Sequence, residues 1–514
     1  MDLRTQMRRA AGYFADREAI VHGTRRLTYA EAWTRGVRLA NALAELGLKP
    51  GERIATLEKN SVEAVDIYLA SAIGNFIRVP LYARNRRESH AQMIGNTGAR
   101  LAIVDEALFP ELAGLDAELP DLQRIIVRDK DYEQWLASAS DRDPDPAVRP
   151  EQYCVIRHTG GTTGKPKGVA YSHRNWLAIC ASFLEPAPKA QLGDAVLHTG
   201  PLSHASGFMF SPFWAVGGRN VMIDAFDPLS FLATLDKEGI GYGFVAPTML
   251  NAIVAQPAAY GRRFPRLKAL MVGSAPLSER TALKSAEVFG EAALHSAYGQ
   301  TEALVVAAMG PKDWFSRIEG SAPLRSVGRP LADTEIEIRD PDGRVLGPNE
   351  EGEIVVRVAT RQMDGFWNDP AESEKRLVDG WVRTGDVGTI DGNGFLYLLD
   401  RANDMIISGG FNIYPAELEN VIQDHPKVQA AAVFGIPHPK WGETPLAMVV
   451  VAPGTELAEQ EIVDLVAERL GSMKKPSKVV VTTEPLPLSN VGKVLRSKLR
   501  EPYWAGQERR ISGA

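Results

Sequence analysis

Short apolar strands and amphipathic helices alternate along the first hundred residues, and this alternation restricts the fold more than any other feature of the chain. LTYAEAWTRGVRLANALAELGL (27–48) places apolar residues at helical spacing and ends near Gly47. ERIATLEK (52–59) reads as a strand, and SVEAVDIYLASAIGN (61–75) as a helix capped by Ser61. FIRVPLYA (76–83) and RLAIVDEA (100–107) are strand-like again, with a short helix between them. Strand–helix–strand repetition argues for a mainly parallel sheet covered by helices, hence an α/β fold.

Later segments extend the pattern. QYCVIRH (152–158) and GVAYSH (168–173) are extended segments flanking a loop, with a helix from about Arg174. RLKALMVGSAPLS (266–278) is an apolar strand opening into a Gly-Ser-Ala-Pro turn, and AALHSAYGQTEALVVAAMG (292–310) repeats that form. EIEIRDPDGRVLGPNEEGEIVVRV (335–358) alternates with period two around a DG turn and is expected to be antiparallel. After Asp400 the texture becomes compact α+β, which predicts a domain 1–400, a smaller one 401–514, and a tail (502–514) that is frayed.

At 514 residues the chain exceeds one ordinary core, which agrees with two domains. Its net charge of −6 implies no basic surface and argues against a nucleic-acid partner. Cys154 and Cys180 make neither a disulfide framework nor a zinc set, so a reducing cytoplasm is expected. The charged N-terminus lacks an apolar signal core. Residues 195–218 and 239–261 carry no Asp, Glu, Lys or Arg, but Gly and Pro interrupt both. They are expected to be buried core and pocket wall, not transmembrane segments.

One loop carries the chemistry. HTGGTTGKPKG (158–168) is too rich in Gly and Pro for a packed helix or central strand. It is not the helix-opening loop G-x-x-x-x-G-K-[ST], because Gly160 to Gly164 is one residue short and Pro166 follows Lys165. Its glycines, hydroxyls and two lysines still suit a phosphate, because glycine lets backbone N–H groups turn toward an anion.

HTGGTTGKPKG resembles the signature T-S-G-[ST]-T-G-x-P-K-G of the adenylate-forming enzymes: acyl-CoA synthetases, amino-acid-activating domains and luciferases. Four further segments are similar to the other motifs of that superfamily, in order: YGQTE (298–302), RTGD (383–386), DRANDMIISGGFNIYPAELE (400–419) and PLSNVGKVLR (487–496). The resemblance covers essentially the whole chain. It implies a large domain of helix-covered sheets with a small barrel-like β part, and a small mobile C-terminal domain hinged near 400–403. It also implies a two-step reaction: a carboxylate attacks the α-phosphate of ATP to give acyl-AMP and pyrophosphate, then coenzyme A displaces AMP.

By the same resemblance, Thr159, Gly160, Gly161, Thr162, Thr163, Gly164 and Lys167 hold the ATP phosphates. Tyr298 packs on adenine opposite Gly273, Ser274, Ala275 and Pro276, with Ala297 and Gly299 in the same nucleotide site. Thr301 bonds the phosphates, Glu302 takes Mg2+, and Asp386 and Arg401 hold the ribose. Lys493 bridges the substrate carboxylate and the α-phosphate, and reaches the large domain by rotation about Asn403. His204, Phe208, Phe244, Val245 and Ala303 line the acyl pocket; Gly409, Gly410, Trp441, Lys475 and Arg84 serve coenzyme A. Three positions depart from the pattern: Gly160 for the commoner Ser, Asn403 for Asp or Lys, and Phe411 for Glu.

The charge-free stretches favour an apolar carboxylic acid: fatty, alicyclic or aromatic. A stand-alone amino-acid-activating enzyme feeding a carrier protein is the alternative, although PLSHASGFMF (201–210) lacks an Asp to meet a substrate amine. A degenerate binding protein is the third reading, opposed by Lys493, Glu302, Asp386 and Thr301. A monomer or homodimer is expected.

Overall fold

The computed structural model describes residues 1–159, 166–275, 277–401, 404–408, 411–488 and 494–505, with only the backbone of Asp400, Arg401 and Phe411. Every element expected over 27–107 forms. Thr28 and Glu31 close a reciprocal cap on helix Tyr29–Glu45, and Gly47 leaves it at a φ of +91°. The Ser61 hydroxyl accepts from the Ala64 N–H at 3.1 Å and starts helix Val62–Ile73.

Two large sheets sandwich the helices. One has six strands in the order Arg124–Arg128, Leu101–Asp105, Arg53–Leu57, Ile77–Pro80, Tyr153–Thr159, Lys167–Ser172. Its pairs are parallel until the last, which is antiparallel with His158 opposite Gly168 and Thr159 opposite Lys167. The Gly-rich loop therefore connects the two arms of a hairpin at a sheet edge. The other sheet has nine strands, parallel from Leu294–Gln300 across to Glu18–His22. Helix Val62–Ile73 is buried almost all round because it packs between both sheets.

A five-stranded antiparallel sheet follows, built on Thr334–Arg339, Gly352–Val358, Trp381–Ile390, Leu396–Arg401 and Leu377–Val378. The DG turn folds the chain back only far enough for Arg339 to bridge Val345; the long pairing of Thr334–Arg339 is with Gly352–Val358. Residues 406–482 form a last sheet around strands Val428–His438 and Gly442–Val451, backed by helices Pro415–Gln423 and Glu459–Leu470. Leu488 and Val494 are bridged antiparallel.

The tail corrects the expectation of fraying over its first residues. Helix Arg496–Trp504 packs on the last sheet: the Trp504 indole donates to the Gly435 carbonyl at 2.9 Å, and Tyr503 meets Phe434. The half-buried face of Tyr503 and Trp504 outweighs Pro502, which the helix tolerates. No helix among the described residues is long and apolar enough to cross a membrane; 195–218 and 239–261 break into buried strands Ala195–His198 and Tyr242–Val245 and short helices.

Candidate active site

The YGQTE segment holds the turn expected after a short strand, and that turn closes a hairpin. Strand Leu294–Gln300 runs through Tyr298 and Gly299, turns at Thr301 and Glu302, and returns as Ala303–Met309. The turn is clamped from outside. The Tyr171 hydroxyl donates to the Thr301 carbonyl, and the Met363 N–H to the Glu302 carbonyl at 2.8 Å.

Asp386 arrives from another sheet, on strand Trp381–Ile390. Its Oδ2 accepts from the Tyr298 hydroxyl at 2.7 Å and from Gln300 Nε2 at 2.5 Å. Gln300 also donates to the Thr384 carbonyl at 3.0 Å, so it pins Asp386 to both sheets. Glu302 and Asp386 are each only 9% exposed. Gln300 was not singled out from the sequence, because it fills a variable position of the motif and its partner lies 86 residues away.

The opposite wall is the turn after strand Ala269–Gly273. Gly273 lies beside Ala297, and a Cβ on it would sit 2.6 Å from the Ala297 carbonyl oxygen. Ser274 adopts a φ of +76°, a left-handed conformation that a non-glycine residue keeps only under surrounding constraint. Gly273 thus meets Ala297, next to Tyr298, at the carboxyl end of strand Ala269–Gly273, from which Ser274 and Ala275 continue.

Phe208 and Phe244 share one aromatic cluster through Phe183, with ring centroids 5.6 and 5.5 Å from it, and Ala303 belongs to the same core. Val245 does not join them. Successive strand residues alternate, and Val245 points into the separate core of Leu197, Leu250 and Leu270. His204 Nδ1 is 2.9 Å from the Ser203 hydroxyl and its ring 4.4 Å from that of Tyr82, while Nε2 is buried without a hydrogen-bond partner. Burial, with the charges of Arg157 and Arg84 behind it, holds this imidazole far below the usual histidine range, at about 3. It is neutral at physiological pH.

Lys167 is not a free cation: its Nζ pairs with Glu372 at 2.5 Å, beside a cavity of about 480 Å3 lined by Gln92, Asn96, Trp367 and Asp369. Trp441 is 45% exposed and stacks on His438 at 4.4 Å, so it is a surface ring rather than a core one. Lys475 and Arg84 are exposed. Gly160, Gly161, Thr162, Thr163, Gly164, Pro276, Asn403, Gly409, Gly410 and Lys493 lie outside the described residues, as does the side chain of Arg401. Among the described residues no cluster of three or more His, Cys, Asp or Glu could hold a metal ion.

The chain is similar over nearly its whole length to proteins of known type. It is 34% identical over 487 residues to a feruloyl-CoA synthase of Amycolatopsis sp, covering 94% of this chain and 96% of that protein. It is 30% identical over 503 residues to the fatty acid–[acyl-carrier-protein] ligase ScoC of Streptomyces coeruleorubidus, covering 96% and 95%. In fold it matches the anthranilate CoA ligase AuaEII in complex with anthranoyl-AMP, at a TM-score of 0.90 and 23% identity, over 98% of this chain and 97% of that one. The AMP-binding enzyme family matches residues 7–367, and the AMP-binding enzyme C-terminal domain matches 417–493. With the hairpin-borne loop and Tyr298 inside the first matched region, the chain belongs to the AMP-binding enzyme family.

Proposed function

We propose that the protein is an ATP-dependent acyl-CoA synthetase. It joins a carboxylic acid of largely apolar body to AMP with loss of pyrophosphate, then passes the acyl group to coenzyme A. The observation that carries this reading is the convergence of Tyr298, Gln300 and Asp386, with Tyr298 in the same apolar core as Phe208 and Phe244. One edge offers acceptors to a nucleoside, the other an apolar wall to an acid.

In this reading Asp386, with Arg401, accepts the ribose hydroxyls, as a carboxylate with two acceptor oxygens suits. Tyr298 and the Gly273–Pro276 turn, with Ala297 and Gly299, sandwich the base. Thr301 and the loop Thr159–Gly164 hold the phosphates. Lys167 balances Glu372 at the foot of that loop. Mg2+ is met by Glu302 as a lone carboxylate together with the substrate phosphates, a mode that needs no protein cage. Neutral His204 adds no net charge to the site of the acid.

Attack of one anion on another needs neutralisation and alignment. Lys493 supplies the charge between carboxylate and α-phosphate. It belongs to the small domain from 401 onward, so we take the chain to hinge near Asn403. Rotation withdraws Lys493 after adenylation and presents Gly409, Gly410, Trp441 and Lys475, with Arg84, to coenzyme A. A monomer or homodimer in the cytoplasm fits this reading. Transfer to a carrier protein is the second reading, favoured by the similarity to ScoC.

Pyrophosphate release across a panel of carboxylic acids, with and without coenzyme A, tests the proposal. A thioester is expected only when coenzyme A is present, and Lys493→Ala abolishes pyrophosphate release while sparing thioester formation from synthetic acyl-AMP. Acyl-AMP that accumulates without thioester, and transfers only to a carrier protein, selects the second reading.

A further inference from the structure

Charge on the strand leading into the Gly-rich loop is unexplained by an apolar acid alone. Arg157 is 7% exposed, and its guanidinium carbon lies 4.6 Å from the Phe208 ring centroid. Its Nε is buried with no hydrogen-bond partner, and its terminal nitrogens find no carboxylate or carbonyl among the described residues. One strand away, Arg78 is 4% exposed and stands 4.5 Å from the Tyr68 ring centroid, likewise without an ion pair or hydrogen bond among the described residues. The parallel register sets Arg78 beside Val155, so Arg78 and Arg157 project from one face, two residue steps apart.

These two cations oppose each other. Burial pushes the Arg78 guanidinium down, and the Arg157 charge adds to that. Glu58, whose field reaches Arg78, is already bonded to Arg128 at 2.9 Å. Buried charges are kept in proteins when something pairs them, and an aromatic face recovers only part of the lost hydration. An anion is the missing partner. Its approach is set by the neighbours: Phe208, whose face Arg157 covers, belongs to the apolar core assigned above to the acyl group, and the Arg157 charge is felt at both Tyr82 and His204. Nε2 of His204, a ring on which that charge acts, is likewise buried without a hydrogen-bond partner.

We infer that Arg157, supported by Arg78 and His204, is an anion-recognition site of the acyl chamber, and that the preferred substrate carries a second carboxylate on its apolar body. The substrate class is thus a dicarboxylic acid, one carboxylate activated and the other held. This rests on the acyl-CoA synthetase reading of the chamber.

The test uses the full-length protein with ATP, Mg2+ and coenzyme A. Pyrophosphate release is measured for matched acids: butyrate to octanoate against succinate to suberate, and 4-methylbenzoate against terephthalate. At least one dicarboxylate is expected to exceed its partner by about tenfold or more in kcat/KM, the scale of a charge-assisted contact. Arg157→Met is expected to erase that preference while leaving the monocarboxylate within about threefold, and Arg157→Lys to keep part of it. Thermal melting checks folding; if Arg157→Met is unfolded, Arg157→Lys and Arg78→Met are read for the same ratio. Activity confined to monocarboxylates, or an equal loss on both acids in Arg157→Met, overturns the inference and leaves the synthetase reading standing. Inactivity on every acid overturns the synthetase reading itself.

Discussion

Replacing Asp386 with Asn is the sharpest probe of the nucleotide site, because it changes charge and leaves shape almost intact. Asp386 Oδ2 accepts from Tyr298 and Gln300 at 2.7 and 2.5 Å, and an amide oxygen in that place still accepts from both. The fold should therefore lose little, about 1 kcal/mol or less of hydrogen-bond strength. The proposed ribose contact loses more. One carboxylate oxygen becomes an NH2 group, which donates where an acceptor was needed. A hydrogen bond to a charged group contributes about 1.5–3 kcal/mol, or about 10- to 150-fold in affinity at 1.36 kcal/mol per decade.

The assay is initial-rate pyrophosphate release with ATP varied at saturating acid, then acid varied at saturating ATP. KM for ATP is expected to rise into that range while KM for the acid moves less than about threefold. A folded D386N enzyme whose KM for ATP is unchanged would refute the ribose assignment. An equal rise for both substrates would show that Asp386 acts by holding two sheets together.

Three further outcomes follow from the geometry. His158, His173 and His198 are buried, and burial holds each at about 4 against about 6.5 when unfolded. The folded form binds fewer protons, so their stability contribution is complete above pH 6.5 and is lost as pH falls toward 4, at about 1.4 kcal/mol per unit for each histidine. Denaturant unfolding at pH 7.5 and 5 should show this loss, and His173→Gln should shrink it; a flat profile rules it out. Gly273→Ala places a methyl 2.6 Å from the Ala297 carbonyl oxygen and should cost about 1–3 kcal/mol, seen as a lower thermal midpoint. Gly160→Ser should keep activity or lower KM for ATP, since it restores a hydroxyl donor to the loop; a large loss of activity would mean that this loop holds phosphate in its own way.

Local pattern carried the local structure. Caps at Thr28 and Ser61, the period of 29–45 and the glycine at 47 are decided by near neighbours, and they appear as read. Contacts between sheets were not legible in the same way. Nothing in the spacing of Tyr298, Gln300 and Asp386 says that they meet; that came from the resemblance to a family, and Gln300 escaped even so. Phe244 and Val245 could have been separated from sequence, because neighbours on a strand face opposite ways. Trp504 read as fraying tail because its partner, the Gly435 carbonyl, is 69 residues away. Arg157 was hidden for another reason: composition counts an arginine as surface, and only packing reveals one lying against Phe208.

The bridge between Leu488 and Val494 has a temporal meaning. It joins the two residues that flank positions 489–493, and the helix that follows is fastened by Arg496 to Glu419 and by Trp504 to Gly435. In the reading proposed above, Lys493 is carried with the folded unit to which this bridge and helix belong. On the proposed reading, the interval between the two half-reactions is set by the drag of solvent on a rotating body, and the clock of the enzyme is partly viscous rather than chemical.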